Sequence, residues 1–119
     1  MLNDLPVLDP QPLRDLLDMG AAPELVQELI TLFEEDVPLR LAMLKTALAA
    51  LDARQTMMDA HQLRGALGNL GLLRFAELAA GIETFAREGH LERVPALVEA
   101  LPAAYEEARL ALRACYPPA

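Results

Sequence analysis

From Val26 to Leu51 the apolar residues Val26, Ile30, Phe33, Val37, Leu41, Leu44, Leu48 and Leu51 follow one another at steps of three or four. Steps of that size line one face of an α-helix, whereas a strand would need steps of two. The pattern predicts one long helix from about Pro23 to Leu51. Pro38 falls inside it and removes the ladder hydrogen bond to the Glu34 carbonyl. The stripe keeps its phase across Pro38, so a kink is expected there rather than a break. A helix this long with one apolar face cannot bury that face alone; it needs other helices or a sheet to pack against.

The rest of the chain offers helices. Asp9, Pro10 and Gly20 bracket a short helix from about Pro10 to Asp18, with Asp9 as its cap and Gly20 as its exit. A third helix starts after Asp52, a suitable N-cap, and runs to Asn69-Leu70-Gly71. A fourth spans about Leu72 to Arg87 on Leu72, Phe75, Leu78, Ala79, Ile82 and Ala86, and Gly89-His90 ends it. The last runs from about Leu91 to Cys115 on Leu91, Val94, Val98, Leu101, Tyr105, Ala108, Leu112 and Cys115. Pro95 fits its first turns, and Pro102 is expected to kink it. Ala and Leu dominate the composition, which suits helices, and no strand pattern or internal repeat is visible. Short connections make successive helices antiparallel. The expected fold is all-α: an antiparallel up-down four-helix bundle with a short extra N-terminal helix, as one domain over residues 1–119.

Charge narrows the function. With 10 basic and 18 acidic residues the net charge is -8, which argues against a nucleic-acid surface and against attraction to anionic lipid. No apolar run is long enough to span a membrane, and the acidic, Pro-rich start MLNDLPVLDP is unlike a signal peptide. The single cysteine, Cys115, permits no internal disulfide and fits a reducing, cytoplasmic setting. It reads as a small apolar residue near the end of the last helix. The tract Glu34-Glu35-Asp36 reads as a solvated face.

One segment does not fit a plain bundle. In Ala60-His61-Gln62-Leu63-Arg64-Gly65-Ala66-Leu67-Gly68 the core stripe is Ala60, Leu63 and Leu67. With Leu63 as the zero direction, His61 falls at roughly 160°, Gly65 at about 200° and Gly68 at about 140°. The imidazole therefore faces away from the core over a helix surface stripped of side chains. Each interior Gly costs about 1 kcal/mol relative to Ala, so the arrangement implies that something approaches His61 closely. An unperturbed imidazole, titrating near 6.5, is a nucleophile at neutral pH. Arg64, at i+3, is near enough to offer a guanidinium to a phosphoryl group on His61. Met57 and Met58 flank His61 one turn earlier, either as part of a docking surface or tucked against a neighbouring helix. No metal-ligand spacing of His and Cys, no Ser-centred elbow and no Gly-rich phosphate loop is present, so any phosphoryl group must come from a partner. His90 reads as a loop or helix-start residue.

These residues resemble the signature of the histidine-containing phosphotransfer (HPt) domain family. That signature is similar to Ala-His-x-Leu-Lys-Gly with a Gly ten positions after the His. Here it reads Ala60-His61-Gln62-Leu63-Arg64-Gly65, with Gly71 at the tenth position. Leu8-Asp9-Pro10, Leu32 to Asp36 and Leu78 to Glu83 also look like family features, so the resemblance covers nearly the whole chain. It implies a phosphocarrier without kinase activity of its own, in which His61 takes a phosphoryl group from one receiver-domain aspartate and gives it to another. The implied partners are response-regulator receiver domains, a hybrid sensor kinase, or both. The resemblance implies no intrinsic cofactor, Mg²⁺ being supplied by the receiver. Arg64 takes the place of the usual lysine, and Glu83 matches a position where relatives often place Glu or Gln; it either contacts the imidazole or is an ordinary exposed carboxylate. Met57, Met58, Gly65 and Gly68 form the expected partner surface, and a monomer is expected. The alternative is a helical docking module that binds receivers or kinases without being phosphorylated. The dimerisation domain of a sensor kinase has a similar His-x-Leu-Arg run, but there a Pro typically follows shortly after, where this chain has Gly65.

Overall fold

In the computed structural model, which describes residues 4–118, every regular element is helical. Residues 1–3 and 119, the ends of the expected domain, lie outside the described residues. The elements are α1 (Gln11–Asp18), α2 (Pro23–Ala49), α3 (Ala53–Asn69), α4 (Leu73–Arg87) and α5 (Val94–Cys115). Helix α2 packs on α3, α3 on α4, α4 on α5, and α5 back on α2. The interior between them is filled by Ile30, Leu44, Leu63, Leu67, Leu72, Ile82, Leu101 and Leu112, all fully buried, with Leu13 of α1 added from one end.

The helix boundaries follow from local chemistry. The Asp52 carboxylate accepts a hydrogen bond from the Gln55 N–H at 3.0 Å and so caps α3. Asp9 accepts one from the Gln11 N–H at 3.0 Å at the start of α1. The final helix is shorter than the pattern suggests, because Leu91–Arg93 forms a 3-10 turn instead of α-helix. Pro95 has no N–H to reach the Leu91 carbonyl, which accepts from Val94 N–H in the tighter spacing.

Helix α2 continues through Pro38. The Glu34 carbonyl that Pro38 leaves unpaired accepts the Tyr105 hydroxyl of α5 at 3.0 Å. Phe33 and Tyr105 pack beside this bond with ring centroids 5.4 Å apart. A lost ladder bond is thus replaced by one that ties two helices together. Tyr105→Phe is expected to cost about 1 kcal/mol of stability in urea unfolding. Pro38→Ala restores a ladder N–H to that carbonyl, so the cost of Tyr105→Phe should shrink in that background.

Three expectations need correction. Glu34 is not on a solvated face: half-buried on the α2–α5 seam, it pairs with Arg113 and lies 3.8 Å from Arg109. The hydrogen bond from Arg113 is the main cause that holds the Glu34 carboxyl below its ordinary value, against the effect of burial. Cys115 is exposed, because Tyr116 rather than Cys115 packs against the core at the end of α5. Leu51 does not extend the α2 stripe. It is 76% exposed and sits at φ 55°, past the end of the helix.

At that point Leu51 N–H bonds to the Leu48 carbonyl and Asp52 N–H to the Ala47 carbonyl, the paired bonds that close a helix through a left-handed residue. Helix α3 ends in the same way, with Gly71 in the left-handed position. A side chain pays a steric penalty of roughly 1–2 kcal/mol in this conformation, and Leu51 has no packing to offset it. Leu51→Gly should therefore stabilise the fold by about 1 kcal/mol, a rise of roughly 3–6 °C in Tm.

Candidate phosphoacceptor site

His61 lies in the middle of α3, and 61% of its side chain is exposed. Its neighbours on the core side, Ala60 and Leu63, are buried, which aims the imidazole outward from the packed face. The helix surface beyond it is open. A Cβ added at Gly65 or at Gly68 would meet nothing within 4 Å. The two positions one and two turns beyond the imidazole thus carry no side chain, and nothing from another helix fills the gap.

Under His61 sits a buried carboxylate. Glu83 of α4 is 2% exposed, and its Oε2 lies 2.9 Å from His61 Nδ1. An ionised carboxylate can only accept, so Nδ1 carries the proton, and in the neutral ring the lone pair is on Nε2. The second ring nitrogen is then the free nucleophile. Glu83 is therefore not an exposed helix carboxylate, one of its two expected readings; its contact with the imidazole is present.

A buried carboxylate needs donors and positive charge, and an imidazole N–H and two guanidiniums surround this one. Arg64 Nε of α3 lies 3.3 Å from Oε1, while Oε2 accepts from Arg87 of α4 as well as from His61. Burial pushes the Glu83 pKa up. The hydrogen bond from His61 and the charges of Arg64, His61 and Arg87 outweigh it, and the carboxyl is held below its ordinary value of 4.5. Arg64, expected to reach for a phosphoryl group, also lies against Glu83, and its side chain stays 46% exposed.

Met57, Met58, His61, Gln62, Glu83 and Arg87 line one depression beside the imidazole. Met57 is half-buried and Met58 is 40% exposed, so the two methionines split between packing and surface. The sequence pattern marks Arg87 only as a helix end, not as part of a site. Its signal was present: Glu83 and Arg87 stand at i and i+4 on α4, acid before base, the favourable order for a pair on one helix. His90 lies outside this group, ahead of the 3-10 turn, with its Nδ1 3.2 Å from Glu92. Among the described residues no cluster of three or more His, Cys, Asp or Glu side chains could hold a metal ion, and no helix is long and apolar enough to cross a membrane.

The chain has relatives. Residues 28–111 match the family model of the Hpt domain. Among solved structures the chain is similar to histidine-containing phosphotransfer protein B (HptB) from Pseudomonas aeruginosa PAO1, at 30% identity. The alignment covers 93% of this chain and 95% of that one, with a TM-score of 0.76. No curated protein sequence matches the chain. With the family match spanning most of its length and the exposed histidine inside the matched region, the chain belongs to the Hpt domain family.

Proposed function

We propose that this protein is a phosphocarrier of a two-component phosphorelay, with His61 as the phosphoacceptor. The observation that carries the reading is the His61–Glu83 contact beneath an open helix surface. The contact places the proton on Nδ1 and leaves Nε2 unengaged, and the bare positions at Gly65 and Gly68 clear the approach to it. Nε2 attacks the phosphorus of an aspartyl phosphate on a receiver domain. The N–P bond forms as the P–O bond to the aspartyl carboxylate breaks, and the carboxylate leaves with its electron pair. The reverse exchange on a second receiver returns Nε2 to its free state. Both phosphoryl compounds are activated, so the direction of flow is set by the partners. The Mg²⁺ that balances the charge of the transferring group would come with the receiver.

The long helices are read as an antiparallel up-down bundle forming one domain over residues 1–119, working as a cytoplasmic monomer. Receivers or a hybrid sensor kinase would dock over Met57, Met58, Gly65 and Gly68. The exposure of Met58 beside the depression at His61 supports this surface. Arg64, through its charge on Glu83 and its exposed guanidinium, would help place the phosphoryl group. Arg64→Ala is expected to slow transfer about tenfold without abolishing it, in line with loss of one charged contact. Rapid-quench transfer assays would measure it.

The reading is tested by incubation with receivers carrying a labelled acyl phosphate. Acid-labile, alkali-stable phosphate is expected on the wild type, mapping to His61, and none on His61→Gln. If no receiver of the organism labels the wild type while His61→Ala keeps receiver binding, the protein is an unphosphorylated docking module instead.

A further inference from the structure

Glu83 faces two demands that conflict. Its hydrogen bond to Nδ1 fixes the tautomer, yet a lone buried carboxylate beside an imidazole also favours the imidazolium, whose Nε2 has no lone pair. A carboxylate that only attracted the proton would orient His61 and disarm it. Further positive charge on Glu83 resolves the conflict, because it weakens the pull on the ring while leaving the hydrogen bond in place.

The two guanidiniums at Glu83 are not equivalent. From α3, Arg64 approaches Oε1 at 3.3 Å, but Oε1 accepts no hydrogen bond among the described residues. From α4, Arg87 donates through Nη2 to Oε2, the same oxygen that accepts from His61 Nδ1. Among the described residues, the titratable and charged groups in contact with Glu83 are His61 and Arg64 on α3 and Arg87 on its own helix. Only Arg87, among the described residues, competes with His61 for one oxygen.

We propose that Arg87 is a positioning residue that acts through Glu83. By sharing Oε2 with His61 it limits the carboxylate's hold on the imidazole and keeps the ring neutral, with Nδ1 protonated and Nε2 free. The consequence for transfer rests on the phosphoacceptor reading, but the state of the ring does not. The two can fail separately.

The test is nitrogen-15 NMR of the imidazole in the full-length protein at one neutral pH, on wild type, Arg87→Gln, Arg87→Lys, Glu83→Gln and the double variant Glu83→Gln/Arg87→Gln. Wild type should show one protonated and one bare ring nitrogen. In Arg87→Gln the doubly protonated form should rise several-fold, and Arg87→Lys should restore most of the wild-type signal. In the Glu83→Gln background Arg87→Gln should have no effect. A wild-type spectrum in Arg87→Gln would overturn the proposal. So would an effect of equal size with and without Glu83, which would mean that Arg87 acts on the ring directly. Arg87 is 56% exposed, and an unchanged helical circular dichroism signal separates these outcomes from unfolding. Transfer assays on the same samples then report on the phosphoacceptor reading alone.

Discussion

Replacing Gly65 by Gln should reduce phosphotransfer at least a hundredfold while the fold becomes slightly more stable. Gly65 stands one turn beyond His61, and in a helix each side chain leans back toward the N-terminus. A Gln there would lie over the imidazole, in the space where a receiver's phosphoaspartate must come in line with Nε2. The cost falls on approach, not on packing, since a Cβ at this position meets nothing within 4 Å. The helix itself gains, because Gly is about 1 kcal/mol worse than Ala in a helix interior and Gln is close to Ala. Transfer and stability should therefore move in opposite directions. Gly65→Ala, with a single methyl, should retain most of the transfer activity. Rapid-quench assays with a charged receiver, beside urea unfolding of the same samples, would measure both. An unchanged rate in Gly65→Gln would show that receivers approach His61 from another side.

Much of this arrangement is legible in the sequence, for one physical reason. Helical periodicity converts sequence spacing directly into direction, so the outward aim of His61 and the bare surface at Gly65 and Gly68 follow from counting residues. The same counting places Ala60, Leu63, Leu67, Phe75, Ile82 and Ala86 in the core, where they are found. It fails where a second helix decides the matter. Glu83 follows Ile82 about 100° round the helix, and nothing in α4 alone says that α3 will lay a guanidinium and an imidazole across it. Glu34 looks like part of an acidic surface until Arg113 arrives from α5. The bond from Tyr105 to the Glu34 carbonyl is of the same kind: Pro38 announces the orphaned acceptor, but only the packing supplies the donor. Leu51 fails for a local reason. Its spacing continues the stripe, yet the helix closes just before it, and the closing residue takes a left-handed conformation that the apolar pattern does not encode. Partner charges and chain reversals are thus the hidden part, and they also hold the residue that tunes the site, Arg87.

The glycine ten positions after His61 belongs to the fold and not to the chemistry, and Gly71→Ala should show it. Gly71 closes α3 at φ 78°, and its carbonyl accepts the Asp9 N–H at 2.8 Å. A Cβ there would sit 2.1 Å from the Asp9 carbonyl oxygen and 3.3 Å from Pro12 Cδ. The clash is with backbone, which has no rotamer to retreat to, so the segment leading into α1 must lift away. With it go the Asp9 hydrogen bond, about 1 kcal/mol, and part of the burial of Leu13, about 1.5–3 kcal/mol when complete. The left-handed conformation itself adds about 1 kcal/mol for Ala. Together these predict a loss on the order of 2–4 kcal/mol, a drop in Tm of roughly 10 °C or more. Hydrogen exchange should localise it, with the Asp9 amide losing protection first while the amides around His61 keep theirs. Below the lowered Tm, transfer through His61 should continue, because neither Glu83 nor the surface at Gly65 and Gly68 touches the lead-in to α1. If instead Gly71→Ala abolished transfer at full stability, the tenth-position glycine would belong to the partner surface after all.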